Sequence, residues 1–164
     1  MSTRYFFFGT LMDRDVLELV LARPVDGDAA RPAVLDGYRR VRVSKDSFPM
    51  LVEDAGGAVE GIVFETRSAE EDARILFFED YDYDLATCRP RTADGPVEAM
   101  YCGVEPGVEP SDEAWSLDAW AARHKAGFME LSRIYMDCFG RMTPAEAEPI
   151  WEEGRLALVA KGLL

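Results

Sequence analysis

The 164-residue chain has a single histidine, His124. Serine or cysteine nucleophiles that depend on an imidazole base have only that candidate. It stands in what reads as the apolar stripe of a helix, where a structural role is the simpler reading. Cysteine is scarce as well. Cys88, Cys102 and Cys138 sit at unrelated spacings, which form neither a disulfide framework nor a zinc knuckle. They read as reduced thiols of a cytoplasmic protein, although Cys88 and Cys102 flank the "ADGP" turn and a pairing across a hairpin stays open. Positive charge is in deficit: 18 Lys and Arg against 31 Asp and Glu leave a net charge of −13. Such a chain repels nucleic-acid phosphates and anionic membrane surfaces, so neither is expected as a partner. No apolar run approaches the ~20 residues of a spanning helix, and no basic-then-apolar leader is read at the start. No GxGxxG follows a strand and no GxxxxGK[ST] occurs, which leaves nucleotide cradles unsupported. Neither a metal nor a cofactor is expected. Any catalysis falls to carboxylates and backbone amides.

What is present suits one globular unit, with 48% hydrophobic and 30% charged residues in a chain too short for two large domains. "RYFFFGTLMD" (4–13) places four rings in a row, as a buried strand over 5–8 would, and ends them on Gly9. The stretch 13–22 carries Val16, Leu17, Val20 and Leu21 at helical spacing behind a capping Asp13. Strands are expected over 33–44, 48–54 and 58–66, the last two separated by an "AGG" turn. Ser68 and Glu71 have capping-box spacing, which starts a helix over 68–80. "CRPRTADGPVEAMYCGV" (88–104) reads as a hairpin with a Gly-Pro turn, Pro90 marking an edge or bulge. "EPGVEPSDE" (105–113) reads as a polar linker. Beyond it Leu117, Trp120, His124, Phe128, Leu131 and Tyr135 recur every three or four residues up to Gly140. Thr143, Pro144 and Glu146 then supply the start of a second helix. These two helices must pack on the strand domain or on a second copy of the chain, so a homodimer is one expectation. The division expected is 1–110 for the strand domain and 111–164 for the helical extension.

Most carboxylates, among them Asp13, Asp15, Glu18, Glu70, Glu71, Glu152 and Glu153, are expected on exposed faces or helix starts. Glu79 differs. It follows "ILFF" in line with Ile75 and Leu76, at the negative end of a helix. Poor solvation and the helix dipole both raise its pKa toward neutrality, where a general acid or base works best. The residues alone also allow an exposed glutamate that merely closes the helix.

"FFFGTLMD" resembles the first strand and Tyr-Gly-[Ser/Thr]-Leu loop of the γ-glutamylcyclotransferase-like family, here Phe8-Gly9-Thr10-Leu11. "LDGYRRV" (35–41), "FPMLV" (48–52), "VEGIVFE" (59–65), "ILFFEDYDY" (75–83) and "VEAMYCGV" (97–104) resemble that family's further marks in order. The resemblance spans about residues 4–104 and leaves the helical tail outside. It implies an α+β fold, a small mixed β-barrel flanked by short helices, with two C-terminal helices added here. It also implies a small-molecule γ-glutamyl substrate, cyclised to 5-oxoproline with release of an amine. Glu79 falls at the catalytic glutamate and Tyr83 at the pattern's tyrosine. Phe8, Gly9, Thr10 and Leu11 fall at the substrate-binding loop, whose amides would take the glutamyl α-carboxylate. Three positions depart from the pattern: Phe8 replaces tyrosine, Leu76 replaces aspartate and Asp80 replaces glycine. Two other readings stand beside the enzyme, a catalytically altered binder of an amino-acid-like ligand and an interaction module acting through the Trp-containing tail.

Overall fold

The computed structural model describes residues 2–80, 85–104 and 106–164. Within them an eight-stranded mixed sheet, curled into a half-barrel, is flanked by four α-helices. The first strand, β1 (Arg4–Phe7), is central. It runs antiparallel to β3 (Pro49–Glu65) on one side and parallel to β7 (Ala99–Tyr101) on the other. The helices cover one of its faces and the curled sheet encloses the other, which is why aromatic residues on both faces suit it. Its alternation sends Tyr5 and Phe7 to the helix-side core and Phe6 with Phe8 to the opposite core beside Ala33, Leu35, Val63 and Ala99. Gly61 makes this pairing possible, because a Cβ there would lie 2.4 Å from the Phe7 carbonyl oxygen.

The long antiparallel pair β2 (Ala30–Val43) and β3 forms the body of the sheet. Two strands joined by a turn were expected across 48–66; instead β3 continues through. The "AGG" segment is an irregularity within it, between the pairs Asp36–Ala58 and Tyr38–Glu53. There Asp54 Oδ1 accepts the Gly56 N–H at 3.2 Å, so the local turn chemistry is present without breaking the strand. The 88–104 region is also more divided than a single hairpin. β4 (Ala86–Cys88) pairs with β7, while β5 (Arg91–Thr92) and β6 (Gly95–Pro96) form a tight hairpin at the far edge, so the turn lies at residues 93 and 94 rather than at Gly-Pro. Cys88 stands opposite Ala99, not Cys102, and both thiols are free. The expected linker contains β8 (Pro110–Ala114), which adds to β2.

The helices start where capping chemistry placed them. α1 (Arg14–Leu21) is capped by Asp13, α2 (Ala69–Phe78) by Ser68, α3 (Leu117–Met136) by Ser116 and α4 (Pro144–Ala160) by Thr143, each side chain accepting from an N–H of the first turn. α3 and α4 are not a separate layer. Trp115, Trp120, Tyr135, Met136 and Ala147 share one core with Tyr5, Leu17, Phe64 and Ile75. Among the described residues no helix is long and apolar enough to cross a membrane.

Candidate active site

β1 leaves the sheet at Phe8 and turns at once into a single 3-10 turn, Thr10–Met12, in which the Met12 N–H bonds the Gly9 carbonyl at 3.0 Å. Leu11 is buried and pins the turn to the core, while Gly9 lies against the Pro49 ring, where a Cβ would come within 3.1 Å. The strand exit is held from behind by Arg40. Its guanidinium donates to the carbonyls of Phe8 at 2.9 Å, Glu60 at 2.9 Å and Trp115 at 3.1 Å, and it covers the Trp115 ring at 5.2 Å. Since the peptide bonds are trans, fixing the Phe8 carbonyl toward Arg40 turns the Gly9 N–H the opposite way. One half-buried cation thus sets the direction of the loop's leading amide.

Helix α2 delivers Glu79. Its first turn is tied to β1 and to Thr66, just past β3, through Asp72, which accepts from Thr66 Oγ1 at 2.8 Å and Tyr5 OH at 3.3 Å. Its C-terminal turn is tied to α3: Tyr135 OH donates to the Phe77 carbonyl at 2.9 Å, and the two rings stack with centroids 4.7 Å apart. Glu79 closes the helix, its N–H bonding the Ile75 carbonyl at 2.9 Å, and Asp80 follows with φ +50.

The two elements meet at a cavity of about 350 Å³, within the ~300–1,000 Å³ of small-molecule sites. Phe8, Gly9, Thr10 and Leu11 line one side, and Phe78, Glu79 and Asp80 another. Four residues of the expected loop and the expected glutamate therefore border one space; Tyr83 lies outside the described residues. Glu79 lines this cavity while keeping an exposed surface, and the protein atoms crowded around it reduce the hydration of its carboxylate. That desolvation pushes its pKa up to about 7. Cys102, across the cavity, is pushed up by burial first and by the Glu79 charge second, so it stays a thiol. His124 does not line the cavity; it is half-buried on α3, and burial lowers its pKa.

The remaining lining was not legible beforehand. Phe48 and Pro49 come from the start of β3, Val104 and Val108 from the segment after β7, Phe128 from α3 and Trp151 from α4. Phe128 and Trp151 looked like core residues, since an aromatic on a helix face carries no sign of what that face meets. A larger recess of about 900 Å³ lies beside β2 and the β5–β6 hairpin. Two of the charged side chains on it are neutralised locally, Arg31 by Asp94 at 3.8 Å and Arg91 by Asp36 at 2.8 Å. Volume alone does not pick the site.

Comparison with known proteins bears on the family and the fold. The family model described as gamma-glutamyl cyclotransferase, AIG2-like, matches residues 5–120. AIG2-like protein A of Arabidopsis thaliana is 24% identical over 136 residues, 81% of each chain. Protein AIG2 C of the same plant is 26% identical over 139 residues, covering 83% of this chain and 82% of its own. A solution structure from Arabidopsis thaliana superposes with a TM-score of 0.56 at 25% identity over 81% of each chain. A solved gamma-glutamyl cyclotransferase superposes with a TM-score of 0.52 over 93% of this chain and 99% of its own; at 12% identity that likeness is one of fold.

Proposed function

The chain belongs to the gamma-glutamyl cyclotransferase, AIG2-like family, and from that membership we propose that it cyclises a γ-glutamyl amide to 5-oxoproline, with Glu79 as general acid and base. The observation that carries this reading is one carboxyl group with a pKa raised to about 7, bordering the same cavity as the Gly9–Leu11 turn. In the reaction the substrate's own α-amine attacks its γ-carbonyl carbon. The new C–N bond closes a five-membered lactam, the original γ C–N amide bond breaks, and no water is consumed. Glu79 takes a proton from the attacking nitrogen and returns one to the leaving nitrogen, which departs as the free amine. No protein nucleophile is required, which fits a chain with one histidine remote from the site.

The remaining work is positional. The cavity must hold an extended glutamyl group folded so that amine and carbonyl meet. The Gly9, Thr10 and Leu11 amides are suited to the α-carboxylate, because the leading N–H groups of a 3-10 turn lack acceptors within the turn. Arg40 acts behind them as a positioning residue, since its bond to the Phe8 carbonyl fixes the loop. The test is incubation of the protein with γ-glutamyl amides and γ-glutamyl amino acids, with 5-oxoproline measured by mass spectrometry. Product that depends on the protein is expected; its absence across the series removes the reading.

A further inference from the structure

Much of the remaining lining of the cavity is apolar, and two of its residues, Phe128 and Trp151, lie beyond the segment that the family model matches. Phe48, Val104 and Val108 add to the apolar wall of the same cavity. The wall is fixed: the Phe128 ring meets the edges or faces of Phe78, Trp120 and Trp151 at centroid distances of 6.0, 5.1 and 5.9 Å, and Trp151 meets Tyr135 at 5.4 Å. Among the described lining residues the charged ones are Glu79 and Asp80, both anionic. The sequence beside them, Tyr81 to Asp84 and Glu105, contains no Lys or Arg.

We propose that the leaving group is a neutral, apolar amine, alkyl or arylalkyl, seated against Phe48, Val108, Phe128 and Trp151. This rests on the reading that the cavity cyclises γ-glutamyl amides. A γ-glutamyl amino acid brings two carboxylates. The loop amides can serve the glutamyl one, but the second would enter an acidic cavity with no described cation to meet it, at the cost of burying an unpaired charge. A polyamine leaving group would find its only described counter-charges, Glu79 and Asp80, at the end of α2, and a distal ammonium seated on the wall would have to shed its hydration against hydrocarbon. An arylalkyl group loses nothing of the kind and gains with each buried methylene.

The experiment compares kcat/KM, by 5-oxoproline release, for four synthetic substrates: γ-glutamyl-phenethylamide, γ-glutamyl-ethylamide, γ-glutamylphenylalanine and γ-glutamylputrescine. The second differs from the first by the ring, the third by an added carboxylate, the fourth by a terminal cation in place of the ring. The phenethylamide is expected to lead each of the others by about tenfold or more. A lead below threefold over any of them, with 5-oxoproline still formed, overturns the apolar leaving group and leaves cyclisation standing. No 5-oxoproline from any of the four overturns both. Two variants tie the preference to the wall. Phe48→Arg changes a side chain 40% exposed, so the fold is not at risk. It should raise the γ-glutamylphenylalanine to phenethylamide ratio by about tenfold by supplying the missing cation. Trp151→Leu should lower the phenethylamide to ethylamide ratio several-fold, checked alongside circular dichroism. An unchanged ratio in Phe48→Arg overturns the assignment of the wall whatever becomes of Trp151→Leu.

Discussion

The two ends of helix α2 each carry a glutamate, and the two behave in opposite ways. Glu71, in the first turn, is buried at 7% exposure, paired with Arg23, and accepts the Arg67 backbone N–H at 2.8 Å. Burial pushes its carboxyl up, but the hydrogen bonds from Arg23 and Arg67 outweigh it and hold the pKa below the ordinary glutamate value. Glu79, at the last turn, keeps an exposed surface but is crowded by protein atoms and lacks those partners, and its pKa rises to about 7. One helix therefore spends a buried carboxylate on structure at the end where its dipole favours negative charge, and holds the other in reserve where the dipole opposes it. Glu71 is the less accessible of the two, so it is its partners that hold its pKa down.

The sharpest way to break this contrast is at Glu79. Glu79→Gln removes the proton shuttle, and kcat should fall by about 10²–10⁴ on a verified substrate. Stability should move the other way. Between the unfolded value of 4.5 and the folded value of about 7 the native state keeps a proton that the unfolded chain has lost. Wild-type stability therefore declines as pH rises through that window. Thermal unfolding should show Glu79→Gln more stable than wild type above pH 7, with the gap closing below about pH 4.5. Equal melting temperatures at both ends of the window would mean that Glu79 is not desolvated. In wild type the acid limb of the kcat/KM profile should fall near pH 7.

At the other end the same substitution should cost stability and spare the chemistry. Glu71→Gln leaves Arg23 without its carboxylate and should destabilise by about 1.5–3 kcal/mol in urea unfolding at pH 7. Because the folded pKa of Glu71 is depressed, the stability it contributes is present above its unfolded value of 4.5 and is lost as pH falls below it, so the penalty should shrink in acid. The pH windows of the two glutamates thus lie on opposite sides of one unfolded pKa. A loss of turnover in Glu71→Gln with unchanged stability would dissolve the distinction between them.

How far the sequence reveals this contrast depends on range. Asp13, Ser68 and Thr143 announce their helices because a cap acts on the next three residues, and each is found in that role, while Ser116, the cap of α3, was not picked out. The aromatic run at 5–8 reads as buried for the same local reason. Glu79 stands out through its apolar neighbours, and its company with Phe8–Leu11 comes through the family resemblance. Glu71, by contrast, was read as an exposed first-turn carboxylate. What buries it is Arg23, 48 residues away, and no local pattern encodes such a pairing. β3 was split at Gly56 and Gly57 because turn residues mark a change of direction but do not say whether a partner strand carries the chain through it. Phe128 and Trp151 were missed as lining residues because α3 and α4 dock on the site through the Tyr135–Phe77 contact, which is a product of the whole fold.

That contact supplies a smaller test of what holds the Glu79 end in place. Tyr135→Phe keeps the stacked ring but leaves the buried Phe77 carbonyl one donor short, and about 1 kcal/mol of stability should be lost. If the hydroxyl also aims the last turn of α2, kcat should fall a few-fold with KM little changed. A loss of stability with kcat intact would make Tyr135 a brace for the core and nothing more.

The smallest effect is expected one residue past Glu79. Asp80 adopts φ +50 just after the helix closes, where a side chain is strained and glycine is favoured. Its charge also sits at the negative end of the helix dipole. The pattern that the sequence resembles has glycine at this place, the residue that suits this conformation. Asp80→Gly removes the strain and the charge at the cost of the Asp80 side-chain interactions and of the entropy lost in ordering glycine, so stability in urea unfolding should shift by about 1 kcal/mol or less. Burial is what raises the Glu79 pKa, so the acid limb of the kcat/KM profile should stay near pH 7 in this variant. A limb that shifts down by a unit or more would transfer the cause from desolvation to the neighbouring charge, and the two ends of α2 would then differ by what repels Glu79 rather than by what it lacks.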